Sequence, residues 1–113
     1  MFAVFFSGFT DRYEYGSDMY SHHHPQLSSA LIDYLIEHSV SLIGLDFAGM
    51  RRGKEHTPAD QRCADAGVFV IENLHNLDRL LAYSDRFTAV IRPLGKPGSS
   101  GMPCLIEAQP AEE

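Results

Sequence analysis

The sequence predicts an α/β fold, a mixed β-sheet with flanking helices, on three observations. Short apolar runs end in turn residues at Phe2 to Phe6, Ser41 to Leu45 and Val68 to Ile71. A strongly apolar helical stretch, Leu27 to His38, separates the first two runs, and a capped helix separates the second from the third. Strands alternating with helices are the signature of parallel strands joined by crossovers.

Phe2-Ala3-Val4-Phe5-Phe6 is closed by Ser7-Gly8 and reads as a strand covered on both faces. Residues 10 to 26 are polar, aromatic and turn-rich, and are expected to form a long ordered loop. Ser28 is placed to cap the helix that follows. Ser29, Asp33 and Glu37 form its narrow polar line, so the helix is expected to be buried on more than one side. Ser41 to Leu45 is a second buried strand with Asp46 just past its end.

Thr57-Pro58-Ala59-Asp60 reads as a helix start, with Thr57 the cap, Pro58 at the first helical position and Asp60 returning a bond to the cap's amide. Gly67 closes that helix. Val68 to Ile71 is the third strand, Asn76 to Tyr83 a short helix begun by Asn76. Phe87 to Ile91 and Cys104 to Ala108 are strands joined by the Gly- and Pro-rich turn 95 to 103. Residues 1 to 109 are expected to form one domain, and 110 to 113 a loose acidic tail.

The chain of 113 residues carries a formal charge of -6 and concentrates no basic face for phosphate, which argues against nucleic acid as a partner. Its one basic cluster, Arg51, Arg52 and Lys54, reads as a solvated loop. Cys63 and Cys104 form no CxxC pair, which argues against a zinc knuckle or redox dithiol and for a reducing compartment. No run is long enough to span a membrane. A cytoplasmic protein is expected. Three strands that read as buried on both faces, with one substantial helix to cover them, predict a homo-oligomer.

Four stretches together resemble the C-terminal half of the cyclase family, metal-dependent hydrolases that include bacterial kynurenine formamidases and isatin hydrolase-like enzymes. Val4 to Tyr13 (VFFSGFTDRY) is similar to the family's strand and Thr-Gly-Trp-Asp-Lys-Tyr-like segment. His24 to Asp46 (HPQLSSALIDYLIEHSVSLIGLD) is similar to its proline-led loop, helix and Gly-Ile-Asp strand end. Gly67 to Leu80 (GVFVIENLHNLDRL) resembles its Ile-Ile-Glu-Asn-Leu-x-Asn-Leu-Asp segment, the most specific match. Pro93 to Ala108 (PLGKPGSSGMPCLIEA) resembles its final strands.

The resemblance implies the swivelling β/β/α fold of that family and metal-assisted hydrolysis of an amide in a small aromatic substrate, with zinc or manganese as cofactor. It places one metal ligand at Glu72. The family's second-half histidine falls at Asp60 and Gln61, so Asp60 is an alternative oxygen ligand, although capping is the favoured reading of it. His56, close by, is a candidate base or ligand. Phe9 stands where the family has tryptophan and is a candidate pocket residue, as is the strand-end Asp46. His22-His23-His24 reads as surface loop before it reads as a metal tract. The family's His-x-Gly-Thr-His-x-Asp-x-Pro-x-His motif is not in this sequence. The expectation is therefore a shortened member without activity of its own. The alternatives are a non-catalytic oligomerising protein, or half of a split hydrolase completed by a separate chain bearing that motif.

Overall fold

The computed structural model describes residues 1–96, 98–99 and 101–111. The fold is α/β, with strands and helices in the order the apolar runs require. Two compact units are formed, Met1–Leu77 and Asp78–Glu113.

The first unit is built on a three-stranded parallel sheet of order β1-β2-β3, made by β1 (Phe2–Phe5), β2 (Leu42–Leu45) and β3 (Phe69–Ile71). Parallel neighbours need a crossover. The first crossover runs through α1 (Phe9–Arg12), α2 (Asp18–His22) and α3 (Ser29–Glu37); the second runs through a 3-10 turn (Gly53–Glu55) and α4 (His56–Asp65). The segment expected to be one long loop thus contains two short helices. Ser17 starts the second of them by accepting from the Tyr20 amide at 3.2 Å, a local cap that a scan for apolar periodicity does not register.

Ser28 caps α3 as expected, accepting from Leu31 N at 3.0 Å. The end of α4 also follows the sequence. Gly67 takes a left-handed φ of 76°, its amide bonds Ala64 O, and the Val68 amide returns to Cys63 O. That is the paired closure for which glycine is favoured. The start of α4 differs from expectation. The 3-10 turn runs straight into the helix, Glu55 holds the cap position without any side-chain bond, and Thr57 already lies inside. Asp60 is therefore not bonded back to a cap amide.

In the sheet, Phe2 pairs with Leu42 and Leu42 with Phe69; Ala3 pairs with Ile43 and Ile43 with Val70. Side chains alternate across a strand. Ala3, Phe5, Ile43, Leu45 and Val70 share the core face, where Ile32 and Leu35 of α3 and Cys63 of α4 join Leu27, Val40, Phe47, Met50 and Val68. Only β2, the central strand, is as buried as expected; β1 is half-buried, and Phe69 on β3 is 67% exposed. Being at the edges accounts for both. Helix α3 buries one face rather than several, leaving Tyr34 exposed and stacked on the His38 ring at 3.8 Å.

Helix α5 (Leu77–Leu81) begins at the boundary of the units, after Asn76 in the left-handed region. The second unit is an antiparallel hairpin of β4 (Phe87–Pro93) and β5 (Cys104–Pro110), with Pro93 opposite Cys104 and Phe87 opposite Pro110. Parallel and antiparallel strands therefore occupy two sheets, not one mixed sheet. Pro110, expected in the tail, closes β5, and the Ala111 amide bonds Arg86 O. Glu112 and Glu113 of the expected tail, and Pro97 and Ser100 of the expected turn, lie outside the described residues. Among the described residues no helix is long and apolar enough to cross a membrane.

Candidate metal centre

The carboxyl ends of the three parallel strands are where an open α/β sheet presents functional side chains. Each ends in a residue of interest: Ser7 beyond β1, Asp46 beyond β2 and Glu72 beyond β3. Helix α4 lies against β3 in sequence and space, and its first turns carry His56 and Asp60 one turn apart. Residues four apart share a helix face. His56, Asp60 and Glu72 are thereby brought together, each offering one ligand atom, with all three atoms within 4.8 Å of one another.

The contacts inside this cluster are specific. His56 Nε2 lies 3.2 Å from Asp60 Oδ2 and 3.7 Å from Glu72 Oε1. Its other ring nitrogen, Nδ1, lies 3.2 Å from the Arg51 carbonyl oxygen. A carbonyl only accepts, so Nδ1 carries the hydrogen and Nε2 is the nitrogen left to face the carboxylates. A ring nitrogen bonded to a backbone carbonyl is the usual support of a metal-binding histidine.

The carboxylates are short of partners. Asp60 Oδ1 is shut off from solvent and meets no donor. Burial, and then the charge of Asp60, push the Glu72 carboxyl up to about 7, against the opposing pull of His56. Burial likewise raises Asp60, again with His56 working the other way. Two half-buried carboxylates and one imidazole nitrogen, turned on one another, form a set that a shared cation would satisfy.

Asp46 has been given different work. Only 1% exposed, it accepts from the Ser7 amide at 2.9 Å, the Ser7 hydroxyl at 2.7 Å and the Gly8 amide at 2.8 Å. It fastens the turn after β1 and does not offer its oxygens to a pocket. Phe9, the next residue along, opens α1 and packs its ring on Tyr13 at 4.7 Å and Tyr20 at 6.1 Å, within an aromatic cluster that also includes Tyr15.

The histidine tract divides. His22 and His23 are exposed and both reach Asp18, at 3.1 and 3.5 Å. His24 is buried, donates from Nδ1 to Pro25 O at 2.6 Å and lies parallel to the Phe47 ring. Burial lowers its pKa from the ordinary value, against the Pro25 bond, with the charges of Arg52, His56 and His22 adding to the fall.

Comparison with known proteins adds no relative. No family model, curated protein or solved structure matches this chain.

Three residues at the centre are not readable as functional from the sequence. Arg51, in the cluster expected to be a solvated loop, bonds Glu55 Oε2 through Nε and Nη2 and Leu27 O through Nη1. It therefore braces the carbonyl that orients His56. Gly49 is buried directly against the His56 ring. Tyr20, 1% exposed, donates to Asn73 Oδ1 at 2.7 Å and so anchors the residue next to Glu72. A dense run of aromatic and turn residues was the one available signal for Tyr20.

Proposed function

We propose that this chain is a metal-binding relative of the cyclase-type hydrolases that does not hydrolyse amides by itself. The reading is carried by the convergence of His56, Asp60 and Glu72 within 4.8 Å, from α4 and the end of β3. The donor set fits the cofactor that the family resemblance implies. One imidazole and two carboxylates suit zinc or manganese, and the solvent-shielded, unpartnered Asp60 Oδ1 is an oxygen in need of a positive neighbour.

When bound, such an ion lowers the pKa of a water molecule toward neutrality. The chain's own residues do the rest of what is proposed. Arg51 O fixes the His56 ring so that Nε2 faces inward, making His56 a ligand rather than a base. Asp60 is held one helical turn from it. Glu72 is delivered by the strand end, with Tyr20 holding Asn73 in place. The three side chains stay 27–36% exposed. The ground for expecting no hydrolysis by the chain alone is chemical: the His-x-Gly-Thr-His-x-Asp-x-Pro-x-His motif, which supplies most of the ligands in the family it resembles, is not in this sequence.

The test is direct. Dialysed protein titrated with zinc and manganese is expected to take up one equivalent, with uptake lost in His56→Ala and in Glu72→Gln, and no hydrolysis of N-formylkynurenine. Failure to hold either metal sinks the metal reading; turnover by the isolated chain sinks the silent one. Turnover only on mixing with a polypeptide bearing the His-x-Gly-Thr-His-x-Asp-x-Pro-x-His motif would make the protein half of a split hydrolase.

Self-association belongs to the same proposal. Phe69 is 67% exposed on an edge strand, on the face that also carries Val4, Leu42 and Ile71. Exposed apolar edges favour pairing with a second copy. Sedimentation should give a dimer or larger at micromolar concentration, and Phe69→Lys should dissociate it; a monomeric wild-type protein would contradict this.

A further inference from the structure

Gly49 follows β2 in the loop that leads to α4, and it is buried. Its backbone gives no reason for glycine, since it is absent from the residues with positive φ. Space gives the reason instead. A Cβ built on Gly49 would stand 2.5 Å from both Cε1 and Nδ1 of His56, and the next nearest atom, Arg51 O, is at 3.4 Å. The imidazole occupies the volume that any other residue would need for its first side-chain carbon.

The geometry points to Gly49 as the positioning residue that seats His56, allowing Nδ1–H to reach Arg51 O while Nε2 faces Asp60 and Glu72. The role rests on the metal-binding reading only where metal affinity is the readout. A methyl group at 49 forces the ring to rotate about its side-chain torsions. Rotation separates Nδ1 from the Arg51 carbonyl and swings Nε2 off the two carboxylates. The side chain of His56 is 36% exposed, so the displaced ring has solvent to move into. The backbone around it need not move, and the centre is lost before the fold is.

The experiment uses the full chain as wild type, Gly49→Ala, His56→Ala and the double variant. Imidazole nitrogen NMR of metal-free protein should show His56 protonated on Nδ1 in the wild type and no longer fixed there in Gly49→Ala. In denaturant, any stability cost of Gly49→Ala should vanish in the His56→Ala background, because the ring is the obstacle. Titration with zinc should show affinity about ten- to a hundredfold weaker in Gly49→Ala, the range expected when support of a ligand is removed.

An unchanged His56 tautomer in Gly49→Ala, or an equal stability cost with the ring already gone, overturns the proposal. So does zinc affinity equal to wild type. Should Gly49→Ala alone fail to fold, a folded double variant supports the seat and an unfolded one refutes it. A wild-type chain that takes up no zinc defeats the metal reading alone; the tautomer and the cycle still decide the role of Gly49.

Discussion

Asp46 and Glu72 are carboxylates that end neighbouring strands of one parallel sheet, the first buried and the second partly so. They differ in what meets them. Asp46 receives two backbone amides and a hydroxyl from Ser7 and Gly8, so its charge is matched within the fold. Glu72 has a histidine nitrogen at 3.7 Å and a second carboxylate, Asp60, whose charge raises its proton affinity. A buried charge that is fully hydrogen-bonded serves stability, whereas one left in conflict marks a place where something else is expected to bind. The contrast separates a structural carboxylate from a candidate ligand where position alone cannot.

The largest test falls on Asp46. Replacing it by alanine leaves three donors facing a gap, and the cost should be on the order of 3–5 kcal/mol in denaturant unfolding. Asp46→Asn keeps one accepting oxygen and should lose about half of that. A loss below about 1 kcal/mol for the alanine variant would mean that the turn after β1 holds without its anchor, and the contrast would fail.

Glu72 should behave with the opposite sign. Its carboxyl is raised from 4.5 to about 7 in the folded chain, so between those values the folded state binds more protons than the unfolded one. The contribution of Glu72 to metal-free stability is therefore fully present below about 4.5 and is lost as pH climbs through 7, roughly 2 kcal/mol once partial exposure is discounted. Asp60 shifts in the same direction and adds to the decline. Metal uptake should run the other way, strengthening as pH rises through 7 because the ligands must lose their protons. Metal-free protein whose unfolding midpoint is flat from pH 5 to 8 would show that Glu72 is not in conflict.

A smaller effect of the same origin follows from removing the charge. Glu72→Gln should stabilise the metal-free chain by about 1 kcal/mol at pH 8 while costing it zinc and manganese. Stabilisation and loss of metal in one variant is the pattern expected of a ligand position; destabilisation with metal uptake intact would make Glu72 another Asp46.

Much of this was legible in the residues. Apolar runs with turn endings located all five strands, and Ser28 and Gly67 marked a helix start and a helix end by chemistry that is local. Glu72 was placed at a strand end by the four apolar residues before it, Val68 to Ile71. What the sequence obscured was tertiary. Thr57-Pro58-Ala59-Asp60 has every mark of a capped start, yet a 3-10 turn feeds the helix from Gly53 and moves its beginning to His56. That shift of register along the chain turns Asp60 from a cap partner into the neighbour of His56. Gly49 and Arg51 act through a ring and a carbonyl set by the fold, and Asp46 finds its donors 38 and 39 residues away. No local pattern announces such contacts.

Tyr20 offers the finest test, because its phenol feels the charge of both carboxylates. Burial first, then the charges of Asp46, Tyr15 and Glu72, push its phenol up to about 12. In an ultraviolet titration its ionisation should fall above the ordinary phenol value of 10.0. Tyr20→Phe removes the hydroxyl that donates to Asn73 Oδ1 and leaves that oxygen without its donor, a cost of about 1 kcal/mol. The ring remains, so its packing on Phe9 and Tyr15 is kept. Asn73 is also held by its own amide on Phe47 O at 3.1 Å, which should keep the adjacent Glu72 in place. Zinc affinity should therefore fall by less than about threefold, which is well under 1 kcal/mol. A tenfold fall with little change in stability would show instead that Tyr20 sets the reach of Glu72. The division between anchored and available carboxylates would then run through the phenol rather than between the strands.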